Sequence, residues 1–175
     1  NQFYTIPQIQ LAQLLVENSC LDKVFLCNSG AEANEGAIKL ARKYGKLHLN
    51  NAFEIIATDN SFHGRTMTTV SATGNPHYQE SFTPLTPGFV HVPFNDISAL
   101  QSATTNNTCA VMLEPVQGEG GVNLPDNDYL KQVRKWCDEK GILLILDEVQ
   151  TGMGRLGELF GYEYYGIEPD VMTLA

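Results

Sequence analysis

The residues best placed to do chemistry are those that follow the apolar runs of the chain. Asp147 ends the run Ile142–Asp147, whose other members are all Ile or Leu, as is typical of a strand buried in a parallel sheet. A carboxylate at the carboxyl end of such a strand lies where open α/β sheets bind their ligands. Glu114 ends a second apolar run, Cys109–Glu114. The sequence therefore predicts a site at one edge of a parallel sheet.

A candidate anion site lies in Asn28–Asn34, between a predicted strand and a predicted helix. Ser29 and Gly30 there offer a hydroxyl and unpaired backbone N–H groups at the positive end of the helix dipole, which together form a phosphate cup. The alternative is a simple helix cap by Ser29.

The segment Phe62–Thr66 follows another predicted strand. We hypothesise that it binds a planar ring and a carboxylate. Phe62 can stack on a planar ring, and Arg65 can bind a carboxylate through two hydrogen bonds. The alternative is a core phenylalanine and a solvated arginine. We interpret His63 as a hydrogen-bonding loop residue and not as a base.

Two carboxylates lie five residues apart in the glycine-rich segment Glu114–Gly121. Glu114 and Glu119 can form an acid/base pair, or one can be a structural anchor and the other the partner of an arginine. The spacing matches no cation-binding pattern.

The segment Gly152–Gly157 matches the GxGxxG pattern of dinucleotide-binding proteins in letter only. That fingerprint requires glycines directly after a strand and at the start of a helix, whereas five residues separate Leu146 from Gly152. We therefore do not interpret it as a nicotinamide site.

Composition narrows the classes of function. The 175 residues include 20 acidic and 11 basic ones, for a net charge of -9, which argues against a nucleic-acid surface. No apolar run reaches membrane-spanning length. The start, Asn1–Tyr4, resembles neither an initiator nor a signal peptide, so we interpret it as an interior start. The four cysteines match no metal pattern, and we expect buried, reduced thiols.

The elements that must position these residues alternate along the chain. We predict strands at residues 24–27, 54–58, 89–92, 109–114, 142–147 and 171–175, and helices at 8–19, 31–47, 65–71, 97–103 and 126–140. This order predicts an α/β fold with a mostly parallel sheet and right-handed crossovers. The candidate site residues follow strands and should converge on one sheet edge.

Taken together, four segments resemble the motifs of class III (ω-) pyridoxal-phosphate aminotransferases of fold type I, in the same order: Asn28–Asn34, Phe62–Thr66, Glu114–Gly121 and Asp147–Gly154. The resemblance covers the whole chain. Connecting segments such as Ser71–Pro76 are most similar to the acetylornithine group of that class. Succinylornithine, ornithine and 4-aminobutyrate aminotransferases share the cofactor framework and stay open as alternatives.

The resemblance implies that one set of residues binds pyridoxal 5′-phosphate (PLP): Ser29, Gly30, Ala31, Phe62, Asp147, Val149 and Gln150. The first three would hold the phosphate, Phe62 and Val149 would cover the two ring faces, and Gln150 would bond to the 3-oxygen. Asp147 would pair with the ring nitrogen, because a nearby carboxylate keeps that nitrogen protonated and the ring able to accept electrons.

The resemblance also implies substrate contacts. Arg65 would bind the substrate carboxylate, and Glu119 would pair with a substrate-binding arginine further along the chain. Glu114 would support the site from behind. The reaction implied is transfer of the terminal amino group of N-acetylornithine to 2-oxoglutarate, within arginine biosynthesis, by a cytoplasmic homodimer that binds neither nucleic acid nor membrane.

The Schiff-base lysine of the family would be the residue immediately after Ala175. Residues 1–175 would thus be part of the large PLP-binding domain, lacking its remainder and the small domain, with helices on both sheet faces. We expect this chain alone to be inactive. It is either a fragment or a sequence that stops at a cofactor-modified lysine. The remaining alternatives are a non-catalytic cofactor-binding fragment and, more remotely, a nicotinamide-dependent oxidoreductase.

Overall fold

A five-stranded parallel sheet forms the centre of the computed structural model, which describes residues 3–175. The strands are β1 (Glu54–Thr58), β2 (Phe89–Val92), β3 (Thr108–Leu113), β4 (Leu143–Asp147) and β5 (Val171–Thr173). Their spatial order is β2-β1-β3-β4-β5, and every pairing is parallel. The predicted α/β fold is confirmed.

Helices connect the strands and cover both faces of the sheet. They are α1 (Ile6–Glu17), α2 (Gly30–His48), α3 (Met67–Ala72), α4 (Pro76–Gln79), α5 (Ile97–Ala103), α6 (Tyr129–Lys140) and α7 (Gly161–Tyr165), with a 3-10 turn at Glu80–Phe82. No helix among these described residues is long and apolar enough to cross a bilayer.

Side chains of the central strands alternate between two apolar cores, as the period of a strand requires. In β3, Val111 points to the core formed with α5 and α6, and Met112 points to the core formed with α2. In β4, Leu144 and Ile145 divide in the same way. Burial on both faces explains why these strands read as continuous apolar runs.

Several sequence predictions about elements are wrong in detail. Residues 24–27 form no strand, because no neighbouring strand among the described residues pairs with them. The helix predicted at 126–140 begins at Tyr129, after a turn. The short helices α4 and α7 were not predicted, since four or five residues give too little periodicity to detect.

The order of the strands creates a crevice at their carboxyl ends. The chain passes from β1 outward to β2 and then returns to the other side of β1 as β3. At such a switch point the loops after the two inner strands diverge and leave room for a ligand. Phe62 lies in the loop after β1 and Glu114 directly follows β3, so the predicted site residues border this crevice.

The loop after β4 is held by a buried carboxylate. Glu148 accepts hydrogen bonds from the backbone N–H groups of Gly161 and Tyr162, which begin α7. Burial raises the pKa of Glu148, although these two donors oppose the shift. Gly152–Gly157 lies within this loop as a series of turns and opens no helix, which confirms that it is not a dinucleotide fingerprint.

The cysteine prediction is confirmed in part. All four thiols are free, and Cys109 and Cys137 are buried. The expectation of burial is wrong for Cys27, which is exposed, and Cys20 is half-buried. Cys27 belongs to the segment that was predicted as a strand but remains unpaired, which explains its exposure.

Candidate active site

A cavity of about 340 Å³ lies at the carboxyl edge of the sheet, where the switch-point crevice opens. It is lined by residues from the start of α2 and from the loops after β1, β3 and β4: Gly30, Ala31, Asn34, Phe62, His63, Gly64, Arg65, Glu114, Asp147, Val149 and Gln150. Most residues predicted from sequence therefore converge on one cavity. Among the described residues, no cluster of His, Cys, Asp or Glu could hold a metal ion.

The N-terminus of α2 forms one end of the cavity. Ser29 caps the helix, and its hydroxyl accepts a hydrogen bond from the Glu32 N–H at 3.2 Å. Gly30 and Ala31 occupy the first turn, where helix geometry provides no backbone acceptor for their N–H groups. Ser29 itself is exposed and does not line the cavity. Its capping role is thus compatible with an anion site built from the next two residues.

Gly30 and Val149 are packed so closely that a side chain at position 30 would force one of the two residues to move. A Cβ atom on Gly30 would lie 2.8 and 2.9 Å from the two methyl carbons of Val149. Both residues line the cavity. The absence of a side chain at Gly30 thus allows the loop after β4 to approach the anion-binding end of α2.

Asp147 is buried at the end of β4 and accepts hydrogen bonds at both carboxylate oxygens. Its Oδ2 atom lies 2.7 Å from Asn34 Nδ2 and 2.7 Å from His63 Nδ1. Its Oδ1 atom accepts the Val149 N–H at 3.1 Å, and the Thr173 hydroxyl lies 3.4 Å from the same atom. A carboxylate surrounded by donors in this way is held in one orientation, facing the cavity.

Phe62 forms part of the cavity wall between two other side chains. The Arg65 guanidinium lies 5.6 Å from the centre of the Phe62 ring, within cation–π range. The Tyr78 ring packs edge-on at 5.5 Å. Arg65 is exposed and forms no ion pair with the described residues, so its guanidinium is available to a ligand carboxylate.

Glu114 positions the backbone around the cavity. Its Oε1 accepts the Phe62 N–H at 2.9 Å, and its Oε2 accepts the Gly118 N–H at 3.1 Å. The carboxyl group thereby joins the loop after β1 to the turn after β3. Burial raises the pKa of Glu114, while the nearby His63 and the two N–H donors lower it.

Gln150 and Glu119 occupy different positions relative to the cavity. Gln150 lines it, and its side-chain amide packs so closely on Gly118 that a Cβ at residue 118 would clash with its Oε1. Glu119 is exposed in the adjacent turn and does not line the cavity. The two carboxylates Glu114 and Glu119 therefore do not face the cavity together.

The sequence analysis missed three residues that contact Asp147: Asn34, Thr173 and, in this role, His63. Asn34 lies one helical turn after Gly30, and this i,i+4 spacing was the only available signal that both face the cavity. His63 is fully buried, and its Nε2 atom has no partner among the described residues. Its bond to Asp147 joins loops 84 residues apart, which no local pattern can indicate.

Comparison with known proteins agrees with this geometry. The model of the class-III aminotransferase family matches residues 1–175. An acetylornithine aminotransferase from Methanocaldococcus jannaschii is 62% identical over 176 residues, covering 100% of this chain and 44% of that protein.

Similar solved structures are also aminotransferases. An ornithine aminotransferase from Toxoplasma gondii superposes with a TM-score of 0.93 at 36% identity, covering 98% of this chain and 42% of that chain. An N-acetylornithine aminotransferase from Stenotrophomonas maltophilia gives 0.83 at 42% identity, covering 100% and 43%. The chain spans less than half the length of these relatives. Its sequence, sheet and cavity place it in one family: the chain belongs to the class III aminotransferases.

Proposed function

We propose that the cavity binds PLP and that the intact protein is an aminotransferase. The buried carboxylate of Asp147, fixed by donors on both oxygens and facing the cavity, is the observation that carries this proposal. A protonated pyridine nitrogen is the kind of group that such a carboxylate pairs with.

The other lining residues fit the remaining parts of PLP. The first turn of α2 offers the N–H groups of Gly30 and Ala31 to a phosphate. Phe62 and Val149 provide apolar surfaces for the two faces of the ring, and Gln150 provides an amide for its 3-oxygen. When bound, PLP would supply an electron sink for the carbanion formed at the substrate carbon that carries the amino group.

The chain's own residues would bind and orient PLP and the substrate. Asp147 would hold the proton on the ring nitrogen, and Asn34 and His63 would keep the carboxylate in place. Glu114 would fix the Phe62 backbone against the ring. Arg65 would bind the substrate carboxylate, because its exposed guanidinium lies beside Phe62 and has no acidic partner among residues 3–175.

For the substrates we propose N-acetylornithine as amino donor and 2-oxoglutarate as acceptor. The support is the 62% identity to an acetylornithine aminotransferase across the whole chain. Glu119 would pair with a substrate-binding arginine further along the protein, which agrees with its exposure next to the cavity. Donor preference among acetylornithine, succinylornithine, ornithine and 4-aminobutyrate is decided by comparing kcat/KM for the four donors.

We further propose that residues 1–175 are part of the large PLP-binding domain of a cytoplasmic homodimer. The apolar side chains of α1 support an interface: Ile6, Ile9, Leu11 and Leu14 are each at least 45% exposed on one helix, more than the singly scattered apolar residues that a surface normally carries. Sedimentation of the intact protein as a monomer at micromolar concentration would contradict the dimer.

The decisive experiment is borohydride reduction of the intact protein followed by peptide mass mapping. A pyridoxyl group on a lysine immediately after Ala175 would establish the cofactor and its attachment. Any other residue there, with PLP bound but no turnover, would favour a non-catalytic cofactor-binding protein. Retained turnover in Asp147→Ala would contradict the aminotransferase proposal, whereas a dehydrogenase built on Gly152–Gly157 need not depend on that carboxylate.

A further inference from the structure

Asn34 joins three parts of the site through one buried amide. Its Nδ2 donates to Asp147 Oδ2 at 2.7 Å and to the His63 carbonyl at 2.8 Å, and its Oδ1 accepts the Thr173 hydroxyl at 2.8 Å. The side chain is 1% exposed. All its hydrogen-bonding groups are therefore directed at the carboxylate, the loop after β1 and the last strand.

Two acceptors fix which way the amide faces: Asp147 Oδ2 and the His63 carbonyl both require the Nδ2 side. Thr173 then anchors the other end of the amide by donating its hydroxyl proton to Asn34 Oδ1. If the amide were rotated by half a turn, its oxygen would face the carboxylate oxygen, and two acceptors would be in contact. Thr173 thus controls Asp147 mainly through Asn34, because its direct distance to Oδ1 is 3.4 Å.

The orientation of Asn34 in turn determines which carboxylate oxygen remains available. The side-chain torsion of an aspartate is broad, so hydrogen bonds must fix it. Asn34 and His63 together occupy Oδ2. Oδ1 has one short backbone donor, the Val149 N–H, and keeps acceptor capacity for a proton donor in the cavity.

Asn34 also connects this carboxylate to the anion-binding end of α2. It lies four residues after Gly30, on the same helix face, and an α-helix rises about 6 Å over that interval. Both residues line the cavity. One rigid helix therefore sets the spacing between the N–H groups offered to the phosphate and the carboxylate offered to the ring.

We propose that Asn34 is a positioning residue for the ring nitrogen of PLP: it holds Asp147 Oδ2 so that Oδ1 meets that nitrogen while the phosphate rests on the same helix. This inference rests on the proposed function. The polar contact between Asn34 of α2 and Asp147 of β4 is not needed for the apolar packing of these two elements, and the proposal gives it a role.

The test uses 1-deazapyridoxal 5′-phosphate, in which a C–H group replaces the ring nitrogen. For the intact wild-type protein without cofactor, we expect the analogue to bind about ten- to a hundredfold more weakly than PLP, the effect of one charge-assisted hydrogen bond. In Asn34→Ala, this ratio should shrink several-fold, because His63 alone then holds Oδ2 and the carboxylate is less firmly oriented toward the nitrogen. A residue that acts only on folding would weaken both ligands equally and leave the ratio unchanged.

The outcomes separate the two proposals. If the wild-type protein binds neither PLP nor the analogue, the proposed function fails. If it prefers PLP and Asn34→Ala shows the same ratio, the function stands and the role of Asn34 is refuted.

A second pair of variants keeps the test conclusive if Asn34→Ala does not fold. Thr173→Val removes the hydroxyl that anchors Asn34 Oδ1 but keeps the shape of the side chain, whereas Thr173→Ser keeps the hydroxyl. We expect the ratio to shrink several-fold in Thr173→Val and to stay near the wild-type value in Thr173→Ser. Equal ratios in the two variants would overturn the proposal.

Discussion

Replacing Gly30 with alanine tests whether the cavity depends on the close approach of α2 to the loop after β4. The new Cβ would lie 2.8 and 2.9 Å from the Val149 methyl carbons, whereas carbon atoms normally pack about 3.5–4.0 Å apart. One side must therefore move by about 0.6–1.2 Å. Overpacking of this size costs about 1–3 kcal/mol, and the better helix propensity of alanine offsets at most about 1 kcal/mol of it.

The assay is urea unfolding of the intact protein without cofactor, combined with titration of PLP. We expect Gly30→Ala to lower the free energy of unfolding by about 1–2 kcal/mol. PLP affinity should fall as well, because the N–H groups of the first turn shift away from the wall formed by Val149.

Two further variants isolate the contact. In a Val149→Ala background the clashing methyl groups are absent, so Gly30→Ala should hardly change the free energy of unfolding. The coupling energy between the two substitutions should therefore be about 1–2 kcal/mol. Gly36→Ala is the matched control in the same helix, since its Cβ would lie 3.4 Å from the ring of exposed Phe25. It should stabilise by about 0.5–1 kcal/mol with unchanged PLP affinity. If Gly30→Ala behaved like Gly36→Ala, the packing argument would be wrong.

Three other predictions follow from the same structure. If the proposed function is right, Asp147→Asn should reduce turnover of the intact protein by about two to four orders of magnitude, because a neutral amide does not keep the PLP ring nitrogen protonated; near-normal steady-state rates would contradict this. Burial raises the pKa of Glu114 above its value in the unfolded chain. The folded protein therefore binds the proton of this carboxyl group more tightly than the unfolded chain does. The stability that this contributes is lost as pH rises through the folded pKa. Unfolding at several pH values should therefore show Glu114→Gln gaining stability relative to wild type as pH rises above 4.5. A thiol reagent should modify exposed Cys27 fastest. Cys109 and Cys137 should react only on unfolding, because burial shields them and raises their pKa values to about 11 and about 12. Equal rates for the three thiols would be inconsistent with the burial of these two.

Much of the fold follows from local sequence. The apolar runs of β3 and β4 are long enough to require burial on both faces, and the spacing of apolar residues in α2 and α6 matches a helix facing a sheet. The predicted strands at 54–58 and 89–92 and the helix at 97–103 match the structure residue for residue. Strands that depend on a distant partner are different, and the segment 24–27 shows why: its composition suits a strand, but pairing is a property of two segments.

The residues of the candidate site also divide into those that local sequence predicts and those that only the structure shows. Glycines and carboxylates at strand ends were predictable, because parallel topology places all carboxyl ends on one edge. Asn34 and Thr173 were not, because an asparagine inside a helix and a threonine in a strand are locally ordinary, and their contact spans 139 residues.

The sequence by itself determined the long helices and the buried strands, and which strand ends carry chemically capable side chains, since these depend on periodicity and residue type. Only the tertiary structure decided that α2 lies against β4, with Gly30 touching Val149 and Asn34 holding Asp147. Such contacts depend on the relative placement of elements to within less than an ångström. That placement results from packing the whole core and cannot be read from any one segment.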